Sequence, residues 1–193
     1  MSLSIPFPNH SGKNLRMQFK PRSFLPLDNL WKIETGVIRV VTWHEDGTLV
    51  TMGVWGAGDI VGKALSKIEP YQIECLTRVD VTIFPLDGLY QLTDVLLAHV
   101  QQAEELMVIR SYKTVETMLI KLLAWLAKKF GRAIETGQLI DMRLTHQDIA
   151  DLLNTSRVTI TRVLLNLEEQ GLIHRMTLHR IVLREEEIWH YEI

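Results

Sequence analysis

LTHQDIADLLNTSRVTITRVLLNLEEQGLIHRMTLHRIVLRE, residues 144–185, decides the fold. Thr145 followed by Asp148 forms a loose capping box, with Asp in place of the usual Glu or Gln. Ile149, Leu152 and Leu153 then supply one apolar helix face. Asn154-Thr155-Ser156 makes a turn, and Thr155 or Ser156 can cap a second helix. That helix is expected to bury Val158, Val163, Leu164 and Leu167 and to stop at Gly171. Leu172-Ile173, a polar turn and Ile181-Val182-Leu183 read as a β-hairpin. Helix, tight turn, helix and hairpin in this order spell a winged helix-turn-helix.

The second helix opens on residues that are mediocre helix formers. Val158, Thr159, Ile160 and Thr161 are all β-branched, and Arg157 and Arg162 flank them. A recognition helix explains the choice, because it enters the major groove with its N-terminal turns against base edges and phosphates. Arginine can donate two hydrogen bonds to guanine O6 and N7, and threonine can offer a hydroxyl or a methyl group. Short side chains keep the backbone close to DNA, and the helix N-terminus favours phosphate. The propensity cost is only a few tenths of a kcal/mol per residue. The bland alternative is a solvated helix face with two surface arginines. The cap, the preceding helix and the following wing, all at suitable spacings, favour DNA. Ser156, Thr159 and Thr161 join the arginines as candidate contacts. In the wing, His174, Arg175, His179 and Arg180 read either as phosphate contacts or as ordinary hairpin surface.

Working outward, the chain changes period near its middle. From about Leu30 to Pro85, short β-rich runs alternate with turn residues, which suggests a small β-barrel or β-roll. GVIRVVTWHEDGTLVTMGVWGAGD reads as a hairpin turning at Glu45-Asp46-Gly47. In QIECLTRVDVTIFP, the residues Ile73, Cys75, Val79, Val81 and Ile83 fall on one face. From Leu86 the spacing becomes helical. Leu92, Leu96, Val100, Ala103, Met107 and Arg110 form a continuous stripe, which is either a coiled-coil-like dimer seam or a surface for packing on the roll. A second helix runs from Thr114 to Phe130, with Gly131 as its C′ glycine and RAIETGQLIDMRL as a loop and short strand. The expected fold class is α+β. Its units are a roll over residues 1–90, a dimerisation helix over 91–112 and a winged helix-turn-helix over 113–193.

The chain has 193 residues, 47% hydrophobic and 23% charged, an ordinary balance for a globular protein able to bury a core. Its one cysteine, Cys75, excludes an intramolecular disulfide and a Cys-rich zinc or iron–sulfur site within one chain. No metal and no cofactor are expected. The opening MSLSIPFPNHSGKNLR has no uninterrupted apolar run of a secretory signal, and no segment reaches membrane-spanning length, so a cytoplasmic location is expected. A net charge of −2 offers no global attraction to nucleic acid; the case rests on the local motif.

On WKIETGVIRV, GAGDIVG, the long helix and LTHQDIADLLNTSRVTITRVLLNLEEQGLI, the sequence resembles a Crp/Fnr-type transcription regulator over nearly the whole chain. SRVTITR, LAKKFG and LTHQDIA are especially similar to the cyanobacterial global nitrogen regulator subgroup. The resemblance implies a cyclic-nucleotide-binding-like jelly roll and a long dimerising helix, here Leu92, Leu96, Val100, Ala103 and Met107. It also implies a homodimer reading an inverted repeat in double-stranded DNA, with RNA polymerase as a further partner. Arg157, Val158 and Arg162 then occupy base-reading positions, while His146 and Gln147, beside Thr145, lie where relatives touch the DNA backbone.

Two departures bear on the effector, which the sequence leaves unknown. Relatives that bind cyclic AMP carry Gly-Glu and then Arg-Ser or Arg-Thr, whereas this chain has Gly62-Lys63, and SKIEPYQIECL offers no arginine before Arg78. Cyclic AMP binding is therefore not expected. The competing classes are a cupin-type enzyme and a dimeric small-molecule sensor without DNA binding. The first lacks clustered histidines, since the strand-rich segment from Leu30 to Pro85 offers only His44, and the intact SRVTITR turn disfavours the second.

Overall fold

The structure, a computed structural model, describes residues 16–84 and 89–184, with side chains in the second stretch from residue 93 onward. The N-terminal half contains β1 (Arg16–Phe19), β2 (Trp31–Thr35), β3 (Ile38–Trp43), β4 (Leu49–Trp55), β5 (Ile60–Val61), β6 (Gln72–Cys75) and β7 (Val79–Ile83). They pair antiparallel in two sheets, ordered β1-β7-β2-β5 and β4-β3-β6. The expected hairpin is β3–β4, closed around Glu45-Asp46-Gly47.

QIECLTRVDVTIFP divides into two strands that belong to different sheets. Its alternation nevertheless holds in phase, so Ile73, Cys75, Val79 and Val81 all face the roll interior beside Trp31, Ile33, Ile38 and Val40. The crossing is pinned at Val37, whose N–H donates to Thr77 Oγ1 at 2.8 Å and whose carbonyl accepts from Leu76 and Thr77. Burial pushes the Cys75 thiol up to about 11, so it remains a neutral core group.

Two helices follow, α1 (Leu89–Ser111) and α2 (Val115–Phe130), the second capped by Thr114, which accepts from the Thr117 N–H at 3.1 Å. Along α1, Gln102, Leu106 and Ile109 are buried against the rest of the chain, and His99 stacks on Trp55 with ring centroids 4.9 Å apart. Leu96, Val100, Ala103 and Met107 face outward, and Leu92 lies outside the described side chains. The stripe therefore does not pack on its own roll. Arg110 departs from it: the guanidinium turns inward and its Nε donates to the Leu152 carbonyl at 2.7 Å. Helical spacing puts residue 110 close to the Leu106 face as well as the Met107 face, and the carbonyl acceptors lie on the former.

Gly131 is no left-handed cap. Its φ of −90° and ψ of 172° are extended, and a Cβ there would lie 2.2 Å from the Ala127 carbonyl oxygen, so the residue is needed for space. The segment after it is a complete hairpin, β8 (Gly131–Ile134) and β9 (Gly137–Ile140), where one short strand was expected. The remaining elements are α3 (His146–Leu153), α4 (Arg157–Glu169), β10 (Ile173–Met176) and β11 (Arg180–Leu183). The hairpin joins the wing in a sheet ordered β10-β11-β9-β8, with Ile181 opposite Ile140. A four-residue strand carries little signal of its own, and this one is completed by a partner far along the chain.

A second core joins Leu106 and Ile109 to Leu119, Leu122, Leu126, Ile149, Leu153, Ile160, Leu164 and Leu167. It continues onto Val37, Val54 and Leu76 of the roll, so the C-terminal helices sit directly on a sheet of the N-terminal half. The architecture is α+β: a β-roll, a long helix and a winged helix-turn-helix.

Candidate nucleic-acid interface

Local chemistry defines the helix pair. The Asp148 N–H donates to Thr145 Oγ1 at 3.1 Å, and Asp148 Oδ2 accepts from the Thr145 N–H at 2.9 Å and from its hydroxyl at 2.7 Å. The capping box is complete. Asn154, at φ 51° and ψ 50°, ends α3 in the left-handed region that asparagine tolerates. Of the two candidate caps, Ser156 is the one used; its Oγ accepts from the Thr159 N–H at 3.1 Å. Beyond α4, Gly171 takes φ +77°, which lets the chain reverse into β10.

The buried face of α4 is Ile160, Val163, Leu164 and Leu167. Val158, expected in that face, is 79% exposed, and Ile160 takes its place. At 100° per residue, Ile160 lies one turn before Leu164, whereas Val158 falls well round the helix from it. The exposed face of the first turns thus carries Arg157, Val158 and Arg162. Neither arginine forms an ion pair among the described residues.

Several other candidate contacts are engaged within the protein. Thr161 donates its hydroxyl to the Arg157 carbonyl at 2.9 Å, and His146 Nδ1 lies 2.8 Å from the Thr161 hydroxyl oxygen, tying α3 to α4. Burial, then the nearby Arg175, His179 and Arg157 charges, lowers the His146 pKa from its ordinary value, which keeps the ring neutral near pH 7. Gln147 is exposed and donates to Asp151 Oδ1 at 2.7 Å. Arg175 is held by Glu168, through its N–H at 2.9 Å and its Nε at 2.7 Å. His174 is exposed, 3.9 Å from the same carboxylate. Arg180 reaches Asp141 at 3.2 Å and shares it with Arg132 at 3.0 Å. The wing tip projects at Leu178, 71% exposed, beside His179.

Arg143 belongs to none of the sequence motifs. It is exposed, forms no ion pair among the described residues, and precedes Leu144, whose N–H donates to the His179 carbonyl at 3.1 Å. The backbone at residue 143 therefore runs beside both the start of α3 and the wing. The only sequence signal for Arg143 was its place just before the capping box. Among the described residues, no group of three or more His, Cys, Asp or Glu is placed to hold a metal ion. No helix of the described residues is long and apolar enough to cross a membrane.

Residues 119–187 match the Crp-like helix-turn-helix domain. Regulatory protein CysR of Synechococcus elongatus is 40% identical over 149 residues, covering 76% of this chain and 72% of that protein. The global nitrogen regulator of the same organism is 24% identical over 165 residues, covering 77% and 74%. In fold, the chain is similar to a CRP-family transcriptional regulator of Thermus thermophilus, with a TM-score of 0.76 at 22% identity over 88% of this chain and 92% of that one. FixK2 of Bradyrhizobium japonicum matches with a TM-score of 0.74 at 18% identity, covering 93% and 97%.

Proposed function

Because the chain belongs to the Crp/Fnr-type transcription regulators, DNA-binding regulators by their helix-turn-helix domain, we propose that it acts as a homodimer reading an inverted repeat. The observation that carries this reading is the unpaired, solvent-facing pair Arg157 and Arg162 on the first turns of a capped α4. Arg157, Val158 and Arg162 read bases; Ser156, Thr159 and Thr161 shape that turn against the DNA. Thr145, His146 and Gln147 set the start of α3 near phosphate, and His174, Arg175 and Arg180 do so from the wing. The outward stripe of α1 supports the dimer, since Leu96, Val100 and Met107 are 44%, 53% and 69% exposed, with Leu97 and Val108 beside them. The units proposed are the roll over 1–90, the dimerising helix over 91–112 and the DNA-binding unit over 113–193. RNA polymerase is the proposed protein partner.

Selection of bound duplexes from a random pool tests this reading, with and without a panel of metabolites. The expected product is an inverted repeat whose half-sites lie about one helical turn, ~34 Å, apart. A pool that shows no enrichment would leave the sensor-only alternative standing.

The roll is proposed not to bind cyclic AMP. Lys63, where the resemblance expects a glutamate, folds back on its own loop. Its Nζ donates to the Ser66 and Ile68 carbonyls at 3.1 and 3.0 Å, lies 2.8 Å from Glu69 and stands 5.5 Å above the Tyr71 ring. A ribose would meet an ammonium already engaged, and the described loop supplies no arginine for a phosphate. Calorimetry should therefore register no binding of the nucleotide. A micromolar dissociation constant would overturn the expectation.

A further inference from the structure

A polar cluster joins the roll to the DNA-binding helix pair. Arg22, ahead of β2, clasps Asp148 of α3 with both terminal nitrogens, at 2.8 and 2.7 Å, and donates to Glu74 of β6 at 3.2 Å. Arg39 of β3 donates from Nε to Glu74 at 2.7 Å and from Nη1 to Asp151 at 3.0 Å, with Asp148 at 3.6 Å. Arg39, Glu74 and Asp148 are buried, at 6%, 7% and 2% exposure. Arg110 closes the edge, donating to the Leu152 carbonyl and also to that of Thr51 in β4.

Burial alone would raise the Asp148 pKa, but hydrogen bonds from Arg22 and from the Thr145 hydroxyl and N–H outweigh it and hold the carboxyl below its usual range. Asp148 is therefore ionised at neutral pH, where both terminal nitrogens of Arg22 hold it. The cluster's contribution to net stability is small by nature, because taking these charges out of water offsets most of their attraction. What it supplies is geometry. Apolar surfaces can slide past one another, whereas a bidentate arginine–carboxylate pair accepts one planar register.

We propose that Arg22 and Arg39 are positioning residues for DNA recognition: through Asp148 and Asp151 they fix the direction in which α3, and with it α4, leaves the roll. The transmission is rigid. Asp148 is also the capping-box residue of α3; His146 and Thr161 link the two helices; Ile149, Leu153, Ile160 and Leu164 share one core. In a dimer, the angle between each roll and its recognition helix sets the distance between the two Arg157 side chains. The cluster thereby determines which half-site spacing the protein accepts.

This inference rests on the inverted-repeat reading above, and its test separates the two. Wild type, Arg39→Met and Arg22→Met are compared on operators whose half-sites are moved apart or together by one base pair, and on an isolated half-site. Wild type is expected to discriminate sharply against both altered spacings. Each variant should lose about 5-fold or more of that discrimination while keeping its half-site affinity, the range of a typical coupling between sites. A purely structural role would lower half-site affinity and thermal stability together and leave the spacing preference intact. If Arg39→Met fails to fold, Arg22→Met, whose side chain is 41% exposed, decides the matter. Wild type without any preferred spacing removes the operator reading and this inference with it. A sharp preference kept by the folded variants overturns the positioning role alone.

Discussion

Replacing Arg157 with alanine is expected to cost about 1–3 kcal/mol at each half-site, or about 2–6 kcal/mol on the full inverted repeat, and to relax the base preference at one pair per half-site. The size follows from the chemistry of the position. The guanidinium sits on the first turn of a capped helix, exposed and with no internal carboxylate to leave. None of its binding energy is spent on breaking an existing pair. Arg180 stands in contrast, because it is already held by Asp141, which it shares with Arg132. Arg180→Ala should weaken all sequences by a similar, smaller factor and flatten the salt dependence by about one phosphate contact per half-site. The measurement is a set of single-base operator variants titrated with both mutants at several salt concentrations. If Arg157→Ala weakens every variant equally, the start of α4 is an electrostatic contact and does not read bases.

The second large effect concerns the helix that would hold two copies together. The double substitution Leu96→Glu, Val100→Glu should yield a folded monomer, because both positions are exposed in the single chain and lie opposite the buried Gln102, Leu106 and Ile109. In a dimer they would bury charges against an apolar surface, at a cost of several kcal/mol. Losing the second half-site should lower operator affinity by about 10²–10⁴, the usual gain from linking two binding events. Analytical ultracentrifugation, with circular dichroism as the control for folding, reads the outcome. A double mutant that still sediments as a dimer places the seam elsewhere.

Much of the interface is legible because it is built from contacts three or four residues apart. The Thr145–Asp148 capping box, the Ser156 cap and the hairpin around Asp46-Gly47 each depend on neighbours in the chain, and each stands where the residue types put it. The outward stripe of α1 could also be traced by spacing, but spacing could not say whether it met its own roll or remained exposed. That was settled by the opposite stripe, Gln102, Leu106 and Ile109, which took the intramolecular contact. Val158 was misplaced for a related reason: a β-branched residue near the start of a helix suits either face, and the position of the core under Leu164 decided for Ile160.

The coupling between roll and helix pair was invisible in the sequence. Arg22 and Asp148 are 126 positions apart and Arg39 and Asp151 are 112 apart; read locally, Arg22, Arg39 and Asp151 are ordinary charged surface residues, and Asp148 shows only its capping-box role. Charged side chains reveal burial only through their partners, and those partners arrive by tertiary packing of α3 on the β4-β3-β6 sheet. The sequence by itself therefore determined the recognition elements, through local periodicity and capping. The tertiary structure alone decided where those elements point, because their orientation is held by ion pairs between segments that share no local pattern.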